Sequence, residues 1–156
     1  MHPMGARFAQ ECVRITALEY RSMIFPTQYR VPSYAQWLID EADMTSAYRY
    51  HRQFLQHLQS RHPAPRWILK SPGHLWCLGA LLDEYPNALL VQTHRDPLTA
   101  LASVASLTAG VAPIYIAKRD LESLAHGFRF DEGFGVYGGS QNVAEGTVIE
   151  LHAKIG

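Results

Sequence analysis

The chain has 156 residues, 47% of them hydrophobic and 11% aromatic, which fits one folded domain and excludes disorder throughout. Lysine plus arginine and aspartate plus glutamate each number 14, so there is no bulk electrostatic case for a nucleic acid or an anionic membrane as partner. We expect a cytoplasmic protein with no signal peptide and no transmembrane segment, because two distant cysteines form no disulfide framework and no long apolar run occurs. The eight histidines do not have the spacing of a metal site.

Three helices are predicted in the first part of the chain. The apolar spacing predicts the first over residues 8–21, and two X-Pro pairs follow it. The second is expected to begin at Ser33, which forms a capping-box pattern with Gln36, and the third covers residues 46–60. The predicted buried faces consist of Phe8, Cys12, Ile15 and Leu18; of Tyr34, Trp37 and Leu38; and of Ala47, Tyr50, Phe54 and Leu58.

The segment Tyr48–Gln53 reads YRYHRQ and interleaves basic and aromatic residues. One interpretation is a surface for nucleic acid or phosphate. The other is an ordinary helix with Tyr50 directed inward and with Arg49 and Arg52 in water. The neutral overall charge favours the second interpretation.

The central stretch, Trp67–Leu107, shows two strand-loop-helix units in succession. The predicted strands are 67–70 and 88–93, and the predicted helices are 75–84 and 97–107. The near-continuous apolar start of the second strand is typical of a strand buried on both faces of a parallel sheet. Ligands of such sheets bind at the carboxyl ends of the strands.

Chemically active side chains lie at both of these strand ends. Lys70 ends the first strand, where a cation needs an anionic partner, and His74 in the following loop can exchange a proton near neutral pH. Arg95 follows the second strand beside the helix start at Asp96, and both features favour an anion. Ser103 lies about two helical turns further on and offers a hydroxyl.

Each loop also has a simpler interpretation. Lys70 would reach out to water, His74 would cap its helix, and Arg95 would pair with Asp96. The argument for an anion site is that a lysine and an arginine follow two successive strands and converge on one crevice.

The last part of the chain differs in composition. A short helix is predicted over 117–125, the glycine-rich 127–146 indicates a loop, and 147–155 alternates as a half-buried strand does. We expect one domain over 1–156, because 109–156 is too short for a core of its own.

The central motifs carry a resemblance to a known family. The segments WILKSPGHLW and VQTHRDPLTALASVASL, with ECVRITALEYRSMIFPTQYRVPSYAQWL and AYRYHRQFLQHLQ before them, resemble the bacterial branch of the sulfotransferases that use 3′-phosphoadenylyl sulfate (PAPS). The resemblance covers about residues 1–108. It implies an α/β fold with a parallel sheet and flanking helices, akin to P-loop nucleotide kinases. It also implies transfer of a sulfuryl group from PAPS to a hydroxyl or amine of a small molecule, glycan or lipid, with no metal.

The resemblance also assigns roles to the residues of the central motifs. Arg95 and Ser103, eight residues apart, match the family's ligands for the 3′-phosphate of the donor. Lys70 matches the lysine near the transferred group, where it offsets charge on the bridging oxygen. His74 is the candidate catalytic base, and Glu11 is a second candidate.

One part of the family pattern does not occur in the sequence. The family opens with a strand and a loop of the type R-S-G-T-T or K-S-G-T-T, which cradles the 5′-phosphosulfate. We therefore expect the first strand-loop-helix unit to be missing, so that the chain binds PAPS weakly and transfers little. The alternative function is a non-catalytic remnant that acts as a binding or interaction module. A kinase relative is disfavoured, because no G-x-x-x-x-G-K-[ST] motif occurs.

Overall fold

The computed structural model describes residues 8–63, 65–93 and 148–153, and the single positions 96, 99, 102, 103, 106 and 110. This part of the chain mixes helices and strands, as an α/β protein does. In chain order its elements are α1 (Val13–Thr16), α2 (Ile24–Gln28), α3 (Pro32–Asp40), α4 (Thr45–Arg61), β1 (Trp67–Ser71), α5 (Leu78–Glu84), β2 (Leu89–Thr93) and β3 (Val148–Ala153). Two 3₁₀ turns, Ala17–Glu19 and Pro72–Cys77, accompany α1 and α5.

The first helix is much shorter than the prediction of 8–21. It begins at Val13, because the backbone before it bonds to the sheet instead: the N–H of Cys12 donates to the carbonyl of Lys70 over 3.0 Å. Helical structure ends at Tyr20, which adopts a left-handed conformation with φ of 54°. Such a φ is costly for a residue with a side chain and stops a right-handed helix.

The predicted capping box at Ser33 and Gln36 is wrong. The helix begins one residue earlier, with Pro32 in its first turn, and no side chain caps it. Proline suits this position because its φ is already helical and it has no N–H to leave unpaired. Gln36 bonds to the carboxylate of Asp40, one turn further along α3.

The long helix α4 confirms the predicted helix over 46–60, but the face that is buried is not the predicted one. Ala47, Tyr48, His51 and Leu55 are buried, whereas the predicted Tyr50, Phe54 and Leu58 are only half-buried. The prediction counted apolar side chains alone, and the buried tyrosine and histidine occupy the inward face because they find hydrogen-bond partners there.

The basic residues of the YRYHRQ segment lie on the outer part of this helix. Arg49 is exposed, as the helix interpretation predicts. Arg52 is half-buried and forms an ion pair of 3.3 Å with Glu84 of α5, so it is not simply in water. The segment is therefore an ordinary part of a helix, and its Arg52 joins that helix to α5 through an ion pair.

The sheet differs from the parallel sheet that was predicted. Its order is β1-β3-β2, and β3 pairs antiparallel with both neighbours, with Lys70 and Val91 opposite Glu150 on either side. The strands β1 and β2 still run in the same direction, because each is antiparallel to β3. Their carboxyl ends therefore lie at the same edge, although the described strands do not form the predicted parallel sheet.

Two further predictions concern these strands and the chain beyond them. All five residues of β2 are exposed, so its predicted burial on both faces is wrong. Among the described strands, β2 lies at an edge of the sheet. The predicted C-terminal strand is confirmed at Val148–Ala153. Positions 99, 102, 103 and 106 are helical, in agreement with the helix predicted over 97–107. The predicted helix 117–125 and loop 127–146 lie outside the described residues.

The core lies where α4 meets α1, α5 and β1. Leu81 and Ala47 are fully buried, and Tyr48 retains only 1% of its surface. The buried cluster comprises Cys12, Leu38, Met44, Ala47, Tyr48, Leu55, Leu69, Leu81 and Tyr85. Tyr48 and Tyr85 thus place two hydroxyl groups in this core, and these hydroxyls contact histidines of the candidate site.

Candidate functional site

Lys70 lies near the carboxyl end of β1, one residue before the strand ends. Its ammonium contacts the carboxylate of Glu11, which lies just before α1. The anionic partner expected for Lys70 is therefore present within the chain itself. Each of the two side chains keeps 36% of its surface exposed, so the ion pair adds little to stability and remains open to a ligand.

His74 lies in the 3₁₀ turn Pro72–Cys77 and not at the start of a regular helix. The turn is capped by Ser71, whose hydroxyl accepts a hydrogen bond of 3.1 Å from the N–H of Gly73. This turn directs the imidazole inward, where it retains 1% of its surface. There Nδ1 lies 2.8 Å from the hydroxyl of Tyr48 on α4, while Nε2 is buried without a partner.

A second pair repeats this arrangement beside the first. His51 of α4 places Nδ1 2.7 Å from the hydroxyl of Tyr85, and its Nε2 is also buried without a partner. The rings of His51 and His74 lie 6.4 Å apart between centroids. We call Tyr48, His51, His74 and Tyr85 the Tyr-His cluster.

Burial governs the protonation of this cluster. Desolvation lowers the pKa of His51 from 6.5 to about 4. It lowers that of His74 to about 3, where the neighbouring His51 adds to the effect. Burial also raises the pKa of Tyr48 and of Tyr85. Both imidazoles are thus neutral near pH 7, and both phenols keep their protons.

His74 is also among the residues that line a small recess in the surface. The recess has a volume of about 20 Å³, enough for about one water-sized group. Its walls come from α1, the loop after it, α3, α4 and the 3₁₀ turn that carries His74. The lining residues include Val13, Thr16, Arg21, Ser22, Met23, Leu38, Ile39, Met44, Tyr48, Ser71, His74 and Trp76.

The structure describes only one of the two predicted 3′-phosphate ligands. Arg95 lies outside the described residues, and Ser103 is helical and exposed. The helix start that sequence placed at Asp96 is confirmed, because its carboxylate accepts hydrogen bonds of 2.9 Å from the N–H of Thr99 and 3.0 Å from its hydroxyl. The distance from Arg95 or Ser103 to Lys70 therefore stays a prediction.

Sequence reasoning missed the Tyr-His cluster as a unit. A signal was present, because Tyr48 and His51 are three residues apart and so share one face of α4. That face was not recognised, since the search for a buried face counted apolar residues only. The partners His74 and Tyr85 come from elements that only the tertiary fold brings together.

The comparisons with known proteins place the chain in a family. Residues 1–132 match the model of the sulfotransferase family. The chain belongs to that family, which confirms the resemblance seen in its sequence, and the match runs beyond residue 108. No match is found among the curated proteins or among the solved structures. Among the described residues, no helix is both long enough and apolar enough to cross a bilayer.

Proposed function

We propose that the chain transfers a sulfuryl group from PAPS to a hydroxyl or amine acceptor at the carboxyl end of β1. The observation that carries the proposal is the exposed pair of Lys70 and Glu11 at that strand end, in a chain of the sulfotransferase family. A cation there suits a ligand with several negative charges, and a carboxylate beside it suits an acceptor that must lose a proton.

Lys70 acts on the leaving side of the reaction. PAPS supplies a sulfuryl group already activated by its bond to a phosphate. As the acceptor oxygen or nitrogen bonds to sulfur, the bond from sulfur to the bridging oxygen breaks, and 3′-phosphoadenosine 5′-phosphate leaves. The ammonium of Lys70 offsets the negative charge that develops on the bridging oxygen.

Glu11 and His74 are the two candidates for the proton of the acceptor. His74 is buried and its pKa is lowered to about 3, far from the range in which a general base works well at neutral pH. The carboxylate of Glu11 is half-exposed and touches Lys70. These surroundings support Glu11 as the proton acceptor and leave His74 as a hydrogen-bond donor.

Arg95 and Ser103 would hold the 3′-phosphate of the donor. The arginine that immediately precedes the helix start at Asp96 supports this assignment, because a guanidinium can bind a phosphate through two parallel hydrogen bonds. The positive charge of Arg95 and the hydroxyl of Ser103 both suit a phosphate of the donor. Because no glycine loop of the family type occurs in the sequence, we expect binding weaker than micromolar.

Calorimetry with 3′-phosphoadenosine 5′-phosphate tests the donor site. Arg95→Ala should cost about 1.5–3 kcal/mol of binding, the loss typical of a hydrogen bond to a charged group. Adenosine 5′-phosphate, which lacks the 3′-phosphate, should bind the variant and the wild type alike. Equal binding of the diphosphate to both proteins would remove Arg95 from the site, and submicromolar binding would contradict the role given to the missing loop.

A transfer assay with PAPS tests the chemistry. Lys70→Met should lower the rate of sulfuryl transfer, whereas Arg49→Gln, which removes an exposed cation of α4, serves as the control. Glu11→Gln should lower the rate of sulfuryl transfer by removing the proton acceptor, and His74→Gln should not. Diphosphate binding without any transfer would instead select the alternative function, a non-catalytic binding module.

A further inference from the structure

The ion pair of Glu11 and Lys70 is supported by the backbone as well as by the side chains. The N–H of Cys12, next to Glu11, donates to the carbonyl of Lys70 itself over 3.0 Å. The carbonyl of Glu11 accepts a hydrogen bond of 3.1 Å from the N–H of Arg14 in α1. The backbone of Glu11 is therefore held against the end of β1, so little backbone entropy is lost when its carboxylate contacts the ammonium.

The side chains of the pair, in contrast, are easily separated. Both are in contact with solvent, and an ion pair at the surface is weak because water competes for each charge. A ligand with several negative charges attracts an ammonium more strongly than one carboxylate does. Such a ligand can therefore take Lys70 from Glu11, while the backbone keeps Glu11 at the same strand end.

The tasks proposed for Lys70 and Glu11 compete with their contact. An ammonium paired with a carboxylate attracts a further anion less strongly, because the two charges largely cancel at a distance. The oxygen Oε1 of Glu11 faces the ammonium and is not open to the hydrogen of an acceptor. Each group is thus partly occupied by the other in the free protein.

We propose that the donor takes Lys70 from Glu11, and that Glu11 accepts the proton of the acceptor only after this exchange. On binding of PAPS the ammonium turns to the bridging oxygen, and the carboxylate stays behind without its partner. As the acceptor bonds to sulfur and the bond from sulfur to the bridging oxygen breaks, the proton of the acceptor passes to this carboxylate. The exchange rests on the proposed function, because it names PAPS as the ligand that separates the pair.

Calorimetry with 3′-phosphoadenosine 5′-phosphate, which retains the former bridging oxygen, tests the exchange. Glu11→Gln should tighten binding about fivefold, because Lys70 then has no carboxylate to leave and one negative charge near the ligand is gone. Glu41→Gln, which removes an exposed carboxylate just after α3, is the control and should bind like the wild type. Unchanged backbone spectra show that each variant is folded.

A double-mutant cycle separates the exchange from simple repulsion. In the Lys70→Met background Glu11→Gln should tighten binding only about twofold, since removal of a repelling charge is the one effect left. Glu150, which the register places opposite Lys70, is present in all four proteins and so cancels in the comparison. An equal gain in both backgrounds overturns the exchange.

Carbon NMR of labelled glutamate carboxyl groups observes the release of Glu11 without any transfer. Saturation with the diphosphate should move the Glu11 signal toward its position in ligand-free Lys70→Met, where the carboxylate is unpaired. The Glu11→Gln spectrum identifies the signal by its loss, and the Glu41 signal should stay in place. A Glu11 signal that is unchanged at saturation overturns the exchange.

The transfer assay distinguishes this exchange from a structural role and from the proposed function. Glu11→Gln should bind the diphosphate more tightly and yet transfer the sulfuryl group more slowly, whereas loss of a merely structural contact would weaken both. Equal binding by Glu11→Gln and the wild type overturns the exchange and leaves the proposed function standing. Absence of diphosphate binding to either protein overturns the proposed function and the exchange with it.

Discussion

Acidification should destabilise this protein well above the pH at which carboxylates take up protons. The reason is the Tyr-His cluster, which holds two neutral imidazoles in the core. Below pH 6.5 the unfolded chain binds a proton at each of His51 and His74. The folded chain binds them only near pH 4 and pH 3, because burial lowers both pKa values. The stability from these groups is therefore fully present above pH 6.5 and is lost as the pH falls.

The size of the effect follows from the two pKa shifts. Well below pH 6.5 each buried histidine removes about 1.4 kcal/mol of unfolding free energy per pH unit, and less near pH 6.5, where the unfolded imidazole is only half protonated. Between pH 6.5 and pH 5 the loss amounts to about 1.5 kcal/mol for each histidine, or about 3 kcal/mol together. Since small domains are stable by about 5–15 kcal/mol, this loss is a substantial part of the total stability.

Urea denaturation at a series of pH values measures the effect. The slope of unfolding free energy against pH should be about 2 kcal/mol per unit between pH 6 and pH 5. His74→Gln keeps a side chain that can bond to Tyr48 but does not titrate, so it should halve the slope. His57→Gln, on the exposed side of α4, is the matched control and should leave the slope as it is. A wild-type curve that is flat from pH 7 to pH 5 would refute the reasoning.

Three further outcomes follow from the described contacts. Leu81→Ala should lower the unfolding free energy by about 2–5 kcal/mol, because removal of a fully buried side chain leaves a cavity. Urea denaturation at pH 7.5 measures this loss, and a loss below about 1 kcal/mol would contradict the placement of Leu81 in the core. Ser71→Ala should cost about 1 kcal/mol through loss of the cap at Gly73, whereas Ser71→Asp should recover part of it in the same assay. Cys12 and Cys77 should react slowly with a thiol reagent at pH 8, because burial raises their pKa values to about 12 and about 11. Unfolding in urea should make both thiols reactive at once. Rapid reaction of the native protein would contradict their burial.

The sequence alone determined the features that depend on local pattern. The strands β1 and β3, the helix α4 and the helix start at Asp96 follow from periodicity and capping, which act within a few residues. The family was recognisable because its motifs, such as LKSPGH, are contiguous. The placement of Lys70 at a strand end followed from the same local pattern.

The tertiary structure decided everything that depends on distant partners. Antiparallel pairing placed β3 between β1 and β2, and no local pattern records which strand lies beside which. Distant partners also determined which face of α4 is buried. Tyr48 and His51 can be buried because they form hydrogen bonds with His74 and Tyr85. The contact of Glu11 with Lys70 joins residues far apart in the chain. The burial of such polar side chains cannot be predicted from the neighbouring sequence. It is favourable only when the tertiary fold brings a distant hydrogen-bond or ion-pair partner next to them.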